Sequence, residues 1–158
     1  MASAEGHPLL TEREKVFRVA LNHLSDIGAV RSRYLLEAFG SIEAAWCADQ
    51  NQLAQLPRFG AAIAAKMNVF CRSHDPEKLY DQVQTADLEL KFWGAPDYPA
   101  LLASIYDPPF VLYGRGQSEA WQSLDRCIAI VGTRHPTSYG LKMAHRLAAA
   151  LAKTGVTI

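Results

Sequence analysis

No stretch of this chain stays apolar for the ~20 residues that a helix needs to cross a bilayer, so a membrane-spanning role is not expected. The opening MASAEGHPLL has neither a basic start nor an apolar run, so no secretion signal is expected either. Its three cysteines, Cys47, Cys71 and Cys127, lie far apart and form no CxxC pair. An odd count without framework spacing suggests small buried thiols in a reducing compartment. His7, His23, His74, His135 and His145 show no metal-ligand spacing and read as surface or internally satisfied histidines. Neither GxGxxG nor a Walker GK[ST] occurs, which removes the usual support for hydride or phosphoryl transfer. No cofactor, metal or catalytic constellation is expected.

Net charge is zero over the 158 residues, so the whole chain has no general attraction for nucleic acid. The charge is unevenly distributed. From Arg115 onward, Arg115, Arg126, Arg134, Lys142, Arg146 and Lys153 face only Glu119 and Asp125. A locally basic half can hold phosphate even in a neutral protein, although a solvated helix face gives the same signal.

A composition 49% hydrophobic and 20% charged belongs to a folded globular chain rather than a disordered one. Residues 1–10 read as a flexible lead-in. Thr11 and Glu14 then have capping-box spacing, and Phe17, Ala20, Leu21 and Leu24 recur as a helical apolar stripe. A second helix is expected from Val30 to Phe39, ended by Gly40. Ser41 is placed to cap a helix that turns Ile42, Ala45 and Trp46 inward, and Asp49 to cap a short one through Leu53. Further helices are expected over Ala61–Cys71 and from Asp75-Pro76-Glu77, the latter burying Leu79, Val83 and Ala86.

The texture changes near Asp87. Leu88, Leu90 and Phe92 alternate as in a half-buried strand, and the proline-broken stretch behind them has room for one helical turn near Ala100 to Ser104. Phe110 to Tyr113 reads as a strand, and Cys127 to Val131 as a strand buried on both faces. A helix from Tyr139 to Lys153, with Leu141, Ala144, Leu147, Ala148 and Leu151 inside, then Gly155 and a strand at Val156, completes a right-handed βαβ unit. Trp46, Trp93 and Trp121 read as core or interface anchors, and Asp97 and Asp107 as turn caps among prolines.

The segment IAIVGTRHPTSYG is where chemistry concentrates. A strand runs into Gly132, a polar turn follows, and a helix starts near Ser138 to Gly140. Free amides at a helix start carry about half a positive charge and suit an anion. Gly132 permits close approach of a ligand, Arg134 adds a fork of donors, and Thr133, Thr137 and Ser138 can cap the helix or bond phosphate oxygens. The plain alternative is a capped βα turn with Arg134 in solvent.

A second pattern lies in the helical part. Leu24-Ser25-Asp26-Ile27-Gly28 and Leu56-Pro57-Arg58-Phe59-Gly60 each set a hydrophobic residue and a glycine between two helices. That resembles a tandem helix-hairpin-helix unit, whose hairpin amides bind phosphates without reading bases. Asp26 and Arg58 stand where the usual pattern has its first glycine. The acidic first hairpin reads as packing, whereas the second, with Arg58 and Gly60, is the candidate for a secondary DNA contact.

Three segments in order resemble the DprA/Smf family of DNA-processing proteins. They are Tyr98-Pro99-Ala100-Leu101-Leu102, then Asp107-Pro108-Pro109 through Leu112-Tyr113 to Gly116, then Val131-Gly132-Thr133-Arg134. The resemblance implies an α/β fold: a SAM/helix-hairpin-helix-like helical domain over 11–86, then the first part of a Rossmann-like parallel domain over 87–158. It implies a cytoplasmic protein that binds single-stranded DNA, protects it and helps load RecA in natural transformation, without being an enzyme. Gly132, Thr133, Arg134, Ser138, Tyr139 and Gly140 match the family's phosphate-contacting turn, with Thr137 inside it. The family continues with a Ser-Gly-x-Ala-x-Gly-Ile-Asp turn on the far side of the DNA pocket and self-associates through later residues. A longer chain and a homodimer of that longer chain are therefore expected. Two other classes stay open: a nucleoside-monophosphate phosphoribohydrolase-like enzyme, and a helical protein-docking module.

Overall fold

In a computed structural model the described residues are 10–116, 121 and 126–158, so the expected flexible lead-in lies almost wholly outside them. The order is α1 (Glu12–Asn22), α2 (Ala29–Phe39), α3 (Ile42–Trp46), α4 (Gln50–Ala54), α5 (Gly60–Ser73), α6 (Pro76–Gln84), β1 (Glu89–Phe92), α7 (Ala100–Ala103), β2 (Val111–Gly114) and α8 (Ser138–Ala152). The chain divides into two compact units, Met1–Gly116 and Gln117–Ile158.

The first unit is built around α1, in which Glu14, Phe17, Arg18, Val19, Ala20 and Leu21 are all buried. The caps fall where side-chain chemistry puts them. Ser41 accepts from Ala44 N–H, Asp49 and Gln52 form a reciprocal capping box, and Asp75 accepts from Glu77 N–H ahead of Pro76. Gly40 ends α2 at φ 76°, a left-handed value that costs glycine nothing.

The expected box at Thr11 and Glu14 forms only in half. Thr11 accepts from Glu14 N–H at 3.1 Å, but the Glu14 carboxylate turns away from its own helix start. It accepts from Ile42 N–H at 3.0 Å and Glu43 N–H at 3.3 Å, and so caps α3 instead. Arg18 Nε donates to it at 2.9 Å, while Arg18 Nη1 donates to the Trp93 carbonyl at 2.8 Å. The same guanidinium lies 4.6 Å from the Phe110 ring centroid. Burial pulls the Arg18 pKa down, and Glu14 acts against that shift by hydrogen bond and charge. One buried pair thus joins α1, the start of α3 and the strand pair.

β1 and β2 pair antiparallel, Glu89 opposite Gly114 and Phe92 opposite Val111. Phe92, Phe110 and Val111 belong to the same core as the helices, and Trp93 N–H donates to the Phe110 carbonyl at 3.1 Å. The sequence reading ends the helical domain at residue 86, whereas the compact unit runs through Gly116. The shared core of Phe92, Phe110 and Val111 with the helices joins the strand pair to this unit, and Arg18 adds a tie from α1 to the Trp93 carbonyl. Within the strand pair's connection, buried Tyr98 donates its hydroxyl to the Pro109 carbonyl at 2.7 Å and links two of the segments that carry the family resemblance. Asp97 and Asp107 do not cap turns. They pair with Lys91 at 2.9 Å and Arg33 at 3.4 Å.

The two hairpins are structural repeats. Leu24 N–H bonds Leu21 O and Ile27 N–H bonds Leu24 O; Leu56 and Phe59 repeat this with Leu53 and Leu56. Buried positions recur in step: Leu21 with Leu53, Ile27 with Phe59, Ser32 with Ala64, Leu35 with Met67. The hydrophobic residue of each hairpin is a plug in the common core. Geometry differs at the flanking positions. Arg58 and Gly60 both sit at φ 64°, so the second hairpin uses left-handed backbone on both sides of Phe59, and Arg58 does so at a cost of roughly 1–2 kcal/mol for a residue with a Cβ.

Two expectations for the second unit are corrected. Cys127 to Val131 is not a strand buried on both faces. Only an isolated parallel bridge, Cys127 with Thr157, forms there, and Val131 is 89% exposed. A buried strand needs partners on both edges and cover on both faces, and the described residues supply one edge contact. For the same reason Leu141 and Leu147 on α8 are exposed, while Ala144, Ala148 and Leu151 are half-buried. The parallel bridge has Ile128 N–H on Thr157 O and Thr157 N–H on Arg126 O, both at 2.9 Å.

The cysteines differ sharply. Burial pushes the Cys71 thiol up to about 12, with neighbouring Cys47 adding to the rise, whereas Cys47 is exposed. Iodoacetamide at about pH 8 is expected to alkylate Cys47 well before Cys71, because only thiolate reacts. Peptide mass spectrometry reads this directly, and equal labelling would show that Cys71 is not shielded in solution.

Candidate nucleic-acid interface

The turn from Gly132 to Gly140 lies at the surface of the second unit. Gly132, Thr133, Arg134, Thr137, Ser138 and Tyr139 are exposed, and Gly140 is half-buried. Thr137 takes the N-cap position of α8, and its hydroxyl accepts from Gly140 N–H at 3.1 Å. Thr133 Oγ1 accepts from His135 N–H at 3.3 Å, so this hydroxyl shapes the turn itself. Two of the candidate hydroxyls are thereby committed to the backbone. The N–H groups of Ser138 and Tyr139 remain without an acceptor among the described residues, as do those of Gly132 and Arg134. The Arg134 side chain likewise has no hydrogen bond or ion pair with a described residue.

A Cβ added at Gly132 would meet nothing within 4 Å, so the fold leaves open space beside this peptide. At Gly140 a Cβ would lie 3.5 Å from Thr137 Oγ1 and 3.8 Å from Pro136 Cβ, ordinary contacts that leave the cap intact. At about 3.6 residues per turn, Ser138, Lys142, His145, Arg146 and Ala149 share one face of α8, the reverse of the apolar stripe. Lys142, His145 and Arg146 are exposed on it. The sequence counts Lys142 and Arg146 among the cations of the second half without placing them; their positions four and eight residues after Ser138 are the signal that puts them on its face.

The second candidate set sits on the first unit. Arg58 and Gly60 are exposed, and the Arg58 side chain has no hydrogen bond or ion pair among the described residues. The neighbouring loop is held by Arg31, whose Nε donates to Arg58 O at 2.8 Å and Nη1 to Asp26 O at 2.7 Å. Lys66 pairs with the Asp26 carboxylate at 2.9 Å. Asp26, expected to repel phosphate from the first hairpin, therefore has its own cation. No group of histidines, cysteines and carboxylates that could hold a metal ion is found among the described residues. No helix among them is long and apolar enough to cross a membrane.

Residues 89–158 match the family described as DNA recombination-mediator protein A. Over 151 residues, 94% of this chain, the sequence is 29% identical to Protein Smf of Synechocystis sp., covering 38% of that protein. It is 44% identical over 61 residues to DNA processing protein DprA of Bacillus subtilis, covering 39% of this chain and 20% of the relative. It is also 28% identical over 79 residues to a DNA ligase of Lacticaseibacillus casei, covering 50% of this chain and 11% of the ligase. The chain spans well under half the length of each of these relatives. No solved structure matches it significantly. The family match runs through β1, the tyrosine–proline loop, β2 and the whole Gly132–Gly140 turn, and over these residues the chain is similar to DNA recombination-mediator protein A.

Proposed function

We propose that this protein binds single-stranded DNA through its backbone phosphates and acts as a recombination mediator, protecting incoming strands and helping to load RecA in transformation. The observation that carries this is the exposed turn at Gly132 to Gly140. It offers amides without acceptors and an Arg134 without a partner among the described residues, with a basic face on α8, all inside the family match. Such a site holds phosphate and reads no base edge, as a protein that coats strands of any sequence requires. The relatives' names as a DNA processing protein and Smf agree with it.

On this reading the first unit is a SAM/helix-hairpin-helix-like domain and Gln117–Ile158 belongs to a Rossmann-like domain. Arg58 and Gly60 supply a secondary DNA contact, the setting is cytoplasmic, and the longer protein works as a homodimer without catalysing a reaction. The test is fluorescence anisotropy of labelled oligo-dT across a salt series. Binding should weaken along a log–log slope of about −0.7 for each phosphate neutralised. Salt-independent binding, or release of base from nucleoside monophosphates, would replace this reading with an enzyme of phosphoribohydrolase type.

A further inference from the structure

Both hairpins contribute to a basic cavity that the Gly132–Gly140 turn does not involve. It has a volume of about 230 Å³ and is lined by Gly28, Ala29, Val30, Arg31, Arg58 and Asp107. The lining comes from the first hairpin and the start of α2, from the second hairpin, and from the loop before β2. Arg31 is anchored by its two carbonyl bonds, so its charge is held at the wall. The Arg58 guanidinium has no hydrogen bond or ion pair with a described residue. Asp107 is the acid of the wall, and Arg33 pairs with it at 3.4 Å. Asp26, in the first hairpin, is paired with Lys66 at 2.9 Å. Four cations thus stand against two carboxylates, both already engaged.

Tyr106 precedes the wall residue Asp107 and is 86% exposed. Its backbone is fixed, because Arg33 Nη2 donates to the Tyr106 carbonyl at 3.1 Å and the Arg33 guanidinium lies 5.9 Å from the Trp93 ring centroid. An aromatic ring left in water on a backbone held by Arg33, one residue from the cavity wall, combines with the cavity arginines the two elements of non-specific single-strand binding: a cation for phosphate and a flat face for a base. Leu101 and Ile105 are also exposed on this segment and extend its apolar surface.

We propose that this cavity is a second single-strand DNA site, taking one backbone phosphate between Arg31 and Arg58 while the adjoining base stacks on Tyr106. It rests on the reading of the protein as a single-strand binder and adds a contact on the unit that precedes the phosphate turn. A folded peptide or duplex offers no unstacked base, so Tyr106 selects a single strand.

The test titrates oligo-dT and an abasic oligonucleotide of equal length into the whole chain. Arg58→Gly removes the cation and suits the left-handed backbone, so its melting temperature should hold or rise while affinity for both strands falls on the order of fivefold. Its salt slope should shrink by about 0.7. Arg58→Lys should recover most of the loss. Tyr106→Ala should weaken oligo-dT by on the order of fivefold and leave the abasic strand unchanged. Unchanged affinity and slope in Arg58→Gly, with binding still lost in Arg134→Ala, overturns the second site and leaves the single-strand reading standing. A Tyr106→Ala loss equal on both strands overturns the stacking. No binding of oligo-dT by the unaltered chain overturns both the cavity and the reading beneath it.

Discussion

Glu14→Ala should destabilise the first unit by about 3–5 kcal/mol and lower its melting temperature by roughly 10–20 °C. The size follows from what the carboxylate holds. Glu14 is 8% and Arg18 5% exposed, and the carboxylate accepts from Arg18, Ile42 N–H and Glu43 N–H. Removing it leaves a guanidinium buried beside Phe110 with only the Trp93 carbonyl, and leaves the start of α3 short of acceptors for two amides. An unpaired buried charge and uncapped buried amides are among the costliest losses a core can suffer.

A thermodynamic cycle separates the two losses. Arg18→Met alone leaves the carboxylate to α3, so it should cost less than Glu14→Ala. Combined with Glu14→Ala it should cost clearly less than the sum of the two single changes, because no unpaired charge remains. The double variant still lacks the α3 cap, so it should not return to the original stability. The exposed pair of Arg13 and Glu43 is the control, and Arg13→Ala should leave the melting temperature almost unchanged. Additive effects in the cycle, or a Glu14→Ala cost near that of Arg13→Ala, would show that the buried pair does not couple α1 to α3 and the strands.

Arg134→Ala should reduce oligo-dT affinity about tenfold to a hundredfold and flatten the salt slope by about 0.7, the loss of one charge-assisted phosphate contact. The side chain is exposed and has no described partner, so the melting temperature should not move. Arg134→Lys keeps the charge and loses the planar fork, and should fall between the two. Lys142→Ala on the same face of α8 should lower the slope with a smaller loss of affinity, since an exposed lysine contributes as a point charge. Full affinity in Arg134→Ala would move the phosphate site out of the turn.

Much of the local structure was legible in the residues. Ser41, Asp49 and Asp75 cap helices where they stand, because capping depends on a short side chain and the next three residues. Gly40 stops α2 for the same local reason, and the alternation at Leu90 and Phe92 marks a real strand. The hairpin repeat was legible as two matching pentapeptides, and Thr137 could be read as the cap that opens α8.

What only the tertiary structure decided is where long-range partners take over from local ones. Glu14 has capping-box spacing from Thr11, yet its carboxylate goes to residues about thirty positions away, as Ile42 and Glu43 offer buried amides and Arg18 a buried charge. The strand pair joins the helical unit because Phe92, Phe110 and Val111 pack into its core and Arg18 reaches the Trp93 carbonyl, long-range contacts with no trace in periodicity. Cys127 to Val131 has the composition of a buried strand, but composition records suitability for burial, whereas burial itself requires neighbours. The sequence by itself determined most helix starts and stops, the segments that resemble the family and the capped turn before α8, all properties of residues within a few positions of one another. The folded chain alone determined that Asp26 is paired with Lys66, that Arg31 clasps both hairpin loops, and that Arg58 and Asp107 line one cavity, because charge and contact act through space and not along the chain.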